Sequence, residues 1–229
     1  MGVLALRTLR CLLIYADDPM NAGCIALRRS RVDDIIDKLH SHGLPVDSWD
    51  AAALNLPRGL LRGNYDAVLL WTADDTFCDR KRLGDELADY VDAGGGVVCM
   101  YVEPGTQPSG RWLREEYHPL EHVSITTGRH LGIGKIHRGQ HPILSGVGDF
   151  RGGRQSWHNV GVLRPSARRI ADWTDGVPFL AESRDTRVVF LNFYPCSSDL
   201  HPGYWDSSGD GTRLIANALC YAARRTHLI

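Results

Sequence analysis

No stretch of this chain approaches the ~20 consecutive apolar residues that a membrane-spanning helix requires, so the sequence offers no such span. None of its six cysteines stands in a C-x-x-C pair, which argues against a structural zinc site or a thioredoxin-type motif. Neither sign of charge is in excess: 26 basic residues face 27 acidic ones, for a net charge of -1. A chain so balanced lacks the basic footprint of a nucleic-acid binder and the acidic block of a disordered tail. G-x-G-x-x-G, a Walker-type lysine and H-E-x-x-H are also missing, so the familiar phosphate-cradling and zinc-protease motifs are excluded. There are no internal repeats and no linker, and one domain over 1–229 is expected.

The cysteines that are present (Cys11, Cys24, Cys78, Cys99, Cys196 and Cys220) are widely spaced, several inside apolar runs where a reduced thiol packs as a small hydrophobe. That usage points to a reducing compartment. The opening "MGVLALRTLRCLLIYADD" is apolar but broken by Arg7 and Arg10, unlike a secretory signal. A cytoplasmic location is expected, with cytoskeletal or organellar assemblies left open.

The first strand is expected over 11–16, a continuous apolar run ended by Asp17 and Asp18. Continuous rather than alternating hydrophobicity fits a parallel strand buried on both faces. A helix is expected over 31–42, with Ser30 and Asp33 as a capping box, Val32, Ile35, Ile36 and Leu39 as its apolar stripe, and Gly43 as its stop. Strands follow over 45–49 and 65–72. Asp79 caps a second helix with the stripe Leu83, Leu87, Tyr90 and Val91, closed by Gly94, Gly95 and Gly96 ahead of a strand over 97–102. This alternation implies right-handed crossovers and a doubly wound parallel sheet. Residues 103–165 are rich in Gly, His and Arg and are expected to form an insertion of short strands (123–126, 131–136) and loops over one end of the sheet. The sheet pattern resumes over 169–173, 179–181 and 187–193, and a deeply packed helix is expected over 211–223.

The triple glycine followed by "VVCMYV" resembles the helix-to-strand junction of class I glutamine amidotransferase-like domains, a superfamily that includes ThuA-like proteins and the DJ-1/PfpI group. "QHPILSGVGDF", "ADWTDGVPFLAE", "VVFLNFYPCSSD" and "GDGTRLIANALCYAA" resemble segments of its uncharacterised branch, in the same order. The resemblance implies a flavodoxin-like three-layer α/β/α sandwich with a mostly parallel sheet. In the family's active members a cysteine nucleophile sits on a sharp turn after the fourth strand, where a helix N-terminus lowers its pKa and backbone N–H groups meet the oxyanion. Here Tyr101 occupies that position, with no flanking glycine pair. The family's late strand ends Phe-His-Pro-Glu, and the matching residues are Phe193, Tyr194, Pro195 and Cys196. All three triad positions (Tyr101, Tyr194 and Cys196) therefore depart from the pattern.

Cys99 is expected to be an inert thiol in the strand; Cys196, nearer the strand ends, is the better candidate for reactivity, with His201 the base closest in sequence. Asp17, Asp18, Asp74 and Asp75 follow parallel strands, where they could hold Mg²⁺ or simply cap loops on a solvated rim. His118 with His122, and His137 with His141, have i, i+4 spacing, but Pro119 and Pro142 argue against a helix through either pair. Asp210, between Gly209 and Gly211, is expected to cap the last helix. Trp71, Tyr101, Tyr194 and Trp205 gather near one edge of the sheet, either lining a pocket or forming core beneath the insertion. The ligand or partner candidates are thus Asp17, Trp71, Tyr101, Glu103, Tyr194 and Trp205, with no cofactor or metal. Together these residues point to a non-catalytic binding or structural module with protein partners or a small-molecule ligand. The alternative is a hydrolase of a small amide or sugar derivative working through Glu103, Cys196 or a histidine.

Overall fold

The computed structural model describes residues 9–17, 25–73, 75–100, 105–126, 130–155 and 157–224, apart from the side chains of 25–30 and of His122 and Val123. The parallel part of its main sheet comprises β1 (Cys11–Asp17), β2 (Val46–Asp50), β3 (Ala67–Ala73), β4 (Gly96–Cys99) and β10 (Val188–Leu191). The remainder, β9 (Pro178–Glu182), β8 (Arg168–Trp173) and β6 (Ile133–Ile136), is added antiparallel. The eight strands run in the order β2-β1-β3-β4-β10-β9-β8-β6.

Apolar residues on both sides of each parallel strand dictate this layering. In β1, Leu12, Ile14 and Ala16 point to one core and Cys11 and Leu13 to the other; β3 divides the same way, with Val68 and Leu70 opposite Leu69 and Trp71. One face is covered by Val32, Ile35 and Leu39 of α1 (Ile25–Ser41) and by Leu214, Ile215 and Leu219 of α4 (Gly211–Ala222). The other is covered by Leu83, Leu87, Tyr90 and Val91 of α2 (Arg80–Asp92), and by Trp112 of the short α3 (Arg111–Arg114). Asp79 caps α2 as its sequence position implies, accepting a hydrogen bond from the Arg82 N–H at 2.9 Å. Ser30 does not cap α1, because that helix begins five residues earlier at Ile25. Gly96 is where α4 meets β4: a Cβ there would lie 2.4 Å from the Ala222 carbonyl.

The inserted region divides rather than lying over the sheet as one layer. β6 becomes the sheet's edge strand, while β5 (Leu120–Thr126) pairs antiparallel with β7 (His158–Leu163) as a separate two-stranded ribbon. β7 has no strong strand signature, since "HNVGVL" places Gly161 near its centre. The glycine is needed there, as a Cβ would meet the Glu121 carbonyl oxygen at 2.0 Å.

Two buried polar groups join the insertion to the sheet. Asn192, fully buried after β10, accepts from the Asn159 N–H (2.6 Å) and donates to the Asn159 and Pro178 carbonyls (2.8 and 2.7 Å). Glu182, 1% exposed at the end of β9, accepts from the Tyr221 hydroxyl of α4 at 2.7 Å and lies 3.5 Å from His141 Nε2 and 3.8 Å from Arg168. Burial raises the Glu182 pKa, but the proximity of His141, the Tyr221 hydrogen bond and the charge of Arg168 outweigh it and hold the carboxyl below its ordinary value.

Asn192→Ala strands the buried N–H and C=O of Asn159 and should lower unfolding stability by roughly 3 kcal/mol, read from urea denaturation. A carboxyl with a depressed folded pKa stabilises fully above its unfolded value of about 4.3 and loses that contribution as pH falls through the folded value. Glu182→Gln should therefore flatten the acid limb of a stability-versus-pH curve while leaving the slope near neutrality unchanged.

Candidate functional site

In an open α/β sheet the ends of the parallel strands are where backbone and polar side chains can meet a ligand. Here β1 ends in Asp17, which is buried and ion-paired with Arg31 Nη1 of α1 at 2.6 Å. It does not stand on a solvated rim, as its place after a strand suggests; the pairing accompanies its withdrawal into the protein, because a carboxylate taken out of water needs a partner. Trp71 near the end of β3 is fully buried, and its indole N–H has no hydrogen-bond acceptor among the described residues. The Tyr15 ring stacks near it at 6.3 Å, and the Tyr194 ring meets it edge-on at 5.8 Å.

Beyond β10 the chain turns through Phe193, Tyr194, Pro195 and Cys196. Tyr194 is 4% exposed, with the Tyr204 ring 4.9 Å away, and burial pushes its phenol well above the ordinary value. Cys196 has no exposed surface. Its Sγ lies 3.8 Å from the Arg31 carbonyl oxygen, and burial, then the charge of Asp34, pushes the thiol pKa up. The candidate reactive thiol is thus a neutral packing group. The next residue, Ser197, donates from its backbone N–H to Asp34 at 3.0 Å, so α1 and this turn are locked together. Cys99 is likewise buried with its thiol pKa raised by desolvation. His201 is exposed, and its Nδ1 accepts from the Gly203 N–H at 3.0 Å.

Of the two readings of the aromatic group, core packing holds for Trp71, Tyr194 and Trp205. Trp205 is 1% exposed and donates its indole N–H to the Pro195 carbonyl at 3.1 Å. Tyr101 and Glu103 lie outside the described residues, as do Asp18 and Asp74. Asp75 accepts from the Thr76 N–H at 2.7 Å. The histidine pairs part company: His118 is buried under the ribbon, His137 bonds Asp172 at 2.8 Å, and His141 precedes the 3-10 turn Pro142–Leu144. Among the described residues no group of three His, Cys, Asp or Glu side chains is placed to hold a metal ion, and no helix is long and apolar enough to cross a membrane. Asp210 does not cap α4 with its side chain; its carboxylate instead accepts from the Gly148 and Asp149 N–H groups, at 2.8 and 3.0 Å.

What the sequence did not signal is the role of Arg31, which touches both Asp17 and, through its carbonyl, Cys196. Nor did it signal an open cleft of about 250 Å³ whose lining includes Arg151, Pro202, Tyr204 and Asp206. Tyr204 ties that cleft to the strand ends, since the same ring packs on Tyr194. No local spacing rule links residues so far apart in the chain.

No protein-family model matches the sequence, and no curated protein matches it. Solved structures do. A ThuA-like protein from Bacteroides uniformis superposes with a TM-score of 0.65 at 13% identity, covering 96% of this chain and 95% of that one. A cytoplasmic protein from Salmonella typhimurium gives 0.64 at 13% identity, covering 92% and 98%. A Thermoplasma acidophilum protein described as part of a GMP synthase gives 0.52 at 12% identity, covering 93% and 94%. The chain therefore has the class I glutamine amidotransferase-like fold, with its flavodoxin-like, mostly parallel sheet.

Thiol accessibility can be read directly. Among the described cysteines, native protein treated with iodoacetamide should be labelled at Cys78, which is exposed. Cys11, Cys99, Cys196 and Cys220 should become labelled only on unfolding, as resolved by peptide mass spectrometry.

Proposed function

We propose that this protein is a non-catalytic amidotransferase-like module, a single domain that acts by binding within a larger assembly. The observation that carries the reading is the environment of Tyr194 and Cys196, which stand where the resemblance calls for the imidazole and the carboxylate of the triad. A general base must exchange protons near neutral pH and reach the reacting atom. A phenol 4% exposed with a raised pKa and a thiol with no exposed surface meet neither condition. The Tyr194 ring also packs between those of Trp71 and Tyr204, at 5.8 and 4.9 Å. Partners in this reading are proteins, or a small molecule held in the cleft beside Tyr204.

The competing reading, a hydrolase acting on a small amide or sugar derivative, would need Cys196 or a histidine to reach a substrate. Purified protein incubated with glutamine should release ammonia at the buffer rate. Turnover that disappears in Cys196→Ala would overturn the module reading. Affinity capture of the tagged protein from its native source should recover a stoichiometric protein partner, and that interaction should survive Cys196→Ala.

A further inference from the structure

The end of the sheet opposite Asp17 and Tyr194 gathers arginine. Arg187 immediately precedes β10 and Arg168 begins β8, while α4 ends nearby with Ala222 packed on Gly96 at the start of β4. The turn from β9 to β10 (183–187) adds Arg184, and the chain just past α4 adds Arg224, both exposed. Arg138 and Arg168 lie 4.0 and 3.8 Å from the buried carboxylate of Glu182. Arg184, Arg187 and Arg224 make no ion pair among the described residues; Arg224 Nη2 donates instead to the Asp185 carbonyl at 3.2 Å. Around this turn and helix end five arginines meet two carboxylates, Glu182 and Asp185. In a chain with 26 basic and 27 acidic residues, that is a local excess.

The turn that carries this charge is held in place. Thr186 stands at φ 64°, a left-handed conformation that a β-branched residue rarely adopts and that persists only where its surroundings fix it. Its N–H bonds the Ser183 carbonyl at 3.0 Å, and its side chain hydrogen-bonds the Tyr221 hydroxyl, which donates in turn to Glu182 at 2.7 Å. Asp185 is engaged within the turn, its Oδ1 accepting from the Ser183 hydroxyl and, at 3.2 Å, from the Arg187 N–H. The Arg187 guanidinium lies over the end of α2, where a Cβ on Gly94 would be 3.6 Å from its Nη2. Burial, then the charge of Arg224, lowers the Arg187 pKa, and the charge of Asp185 does not offset them. Like charges are thus held side by side, an arrangement that an anion from outside would relieve.

We propose that this end of the sheet docks an acidic segment of a protein partner, whose carboxylates would meet Arg184, Arg187 and Arg224. A guanidinium fork matches a carboxylate through two parallel hydrogen bonds. The five arginines come from the loop after β6, the start of β8, the β9–β10 turn and the end of α4. Their charge therefore spreads wider than one small anion would span and suits a row of acids. Nucleic-acid binding of single strands relies on aromatic platforms, and the ring here, Tyr221, packs against His141 at 4.7 Å and gives its hydroxyl to Glu182. As a surface for a protein partner this end rests on the binding-module reading above, but peptide binding is measured without glutamine, so either can fail alone.

Fluorescence anisotropy of a labelled octaglutamate peptide titrated with the whole chain tests it, with octalysine and an oligothymidylate of the same length alongside. At about 20 mM salt octaglutamate should bind with a Kd on the order of 100 μM or tighter. At about 200 mM salt it should bind about tenfold more weakly, as exposed charges are screened. Octalysine should not bind, and the oligothymidylate should bind about tenfold more weakly than octaglutamate or worse. Arg184→Glu and Arg224→Glu should each weaken octaglutamate about fivefold or more. Arg58→Glu makes the same change of net charge on the exposed loop between β2 and β3 and should leave the Kd within about twofold. Absence of octaglutamate binding overturns the proposal, as does an equal loss in Arg58→Glu, or oligothymidylate binding as tight as the peptide's. Should one of the two turn and helix-end variants fail to fold by circular dichroism, the other decides alone.

Discussion

A parallel sheet buried on both faces confines polar chemistry to the ends of its strands. Along β1 and β3 every side chain from Cys11 to Ile14 and from Ala67 to Trp71 is taken up by one of two cores. Neither face can then present a charged or hydrogen-bonding group there without leaving it unsatisfied. The residues that follow the strands decide what such a domain can do, and in this chain they are Asp17 paired with Arg31, and Tyr194 and Cys196 packed against their neighbours. Each of the three would be reactive or ligand-binding if exposed to water. Burial keeps the phenol and the thiol protonated, and the ion pair occupies the carboxylate.

The same turn explains why the closure is concerted. Arg31 receives the Cys196 thiol at its carbonyl and gives its guanidinium to Asp17, while Asp34, one turn along α1, holds the Ser197 backbone. α1 thereby grips the ends of both β1 and the post-β10 turn. Opening a cleft between them would break a buried ion pair and expose Tyr194 and Trp71 together, a combination that costs several kcal/mol by the usual magnitudes of such groups.

The doubly wound half of the fold was legible in the sequence because each of its elements announces itself locally. Apolar runs such as "CLLIYA" and "AVLLWT" exceed what a half-exposed strand would carry, and Asp79 followed by a 3.6-period stripe marks the start of α2. The segment after β10 could also be singled out from the sequence, and the structure buries Tyr194 and Cys196 there. What could not be read was long-range: that β8 and β9 run antiparallel, that β6 closes the sheet, and that β7 exists at all. The buried polar contacts in this half are long-range as well: Asn192 bonds Asn159 33 residues away, and Glu182 bonds Tyr221 39 residues away. Propensity carries no record of such contacts, and a strand as weak as "HNVGVL" is formed by its neighbours rather than by its own residues.

Buried aromatic rings and a desolvated thiol at the strand ends also bear on what this space contributes to stability. An accessible thiolate beside an oxyanion hole needs a strained turn, an unfilled cleft and a depressed pKa, each of which lowers stability. Tyr194 edge-on to Trp71, and Trp205 bonded to the Pro195 carbonyl, supply packing and a satisfied donor in the same space. The cleft beside Tyr204 lies to the side of this packing. In a domain arranged in this way the rigid sheet fixes the geometry of the surfaces at its flanks.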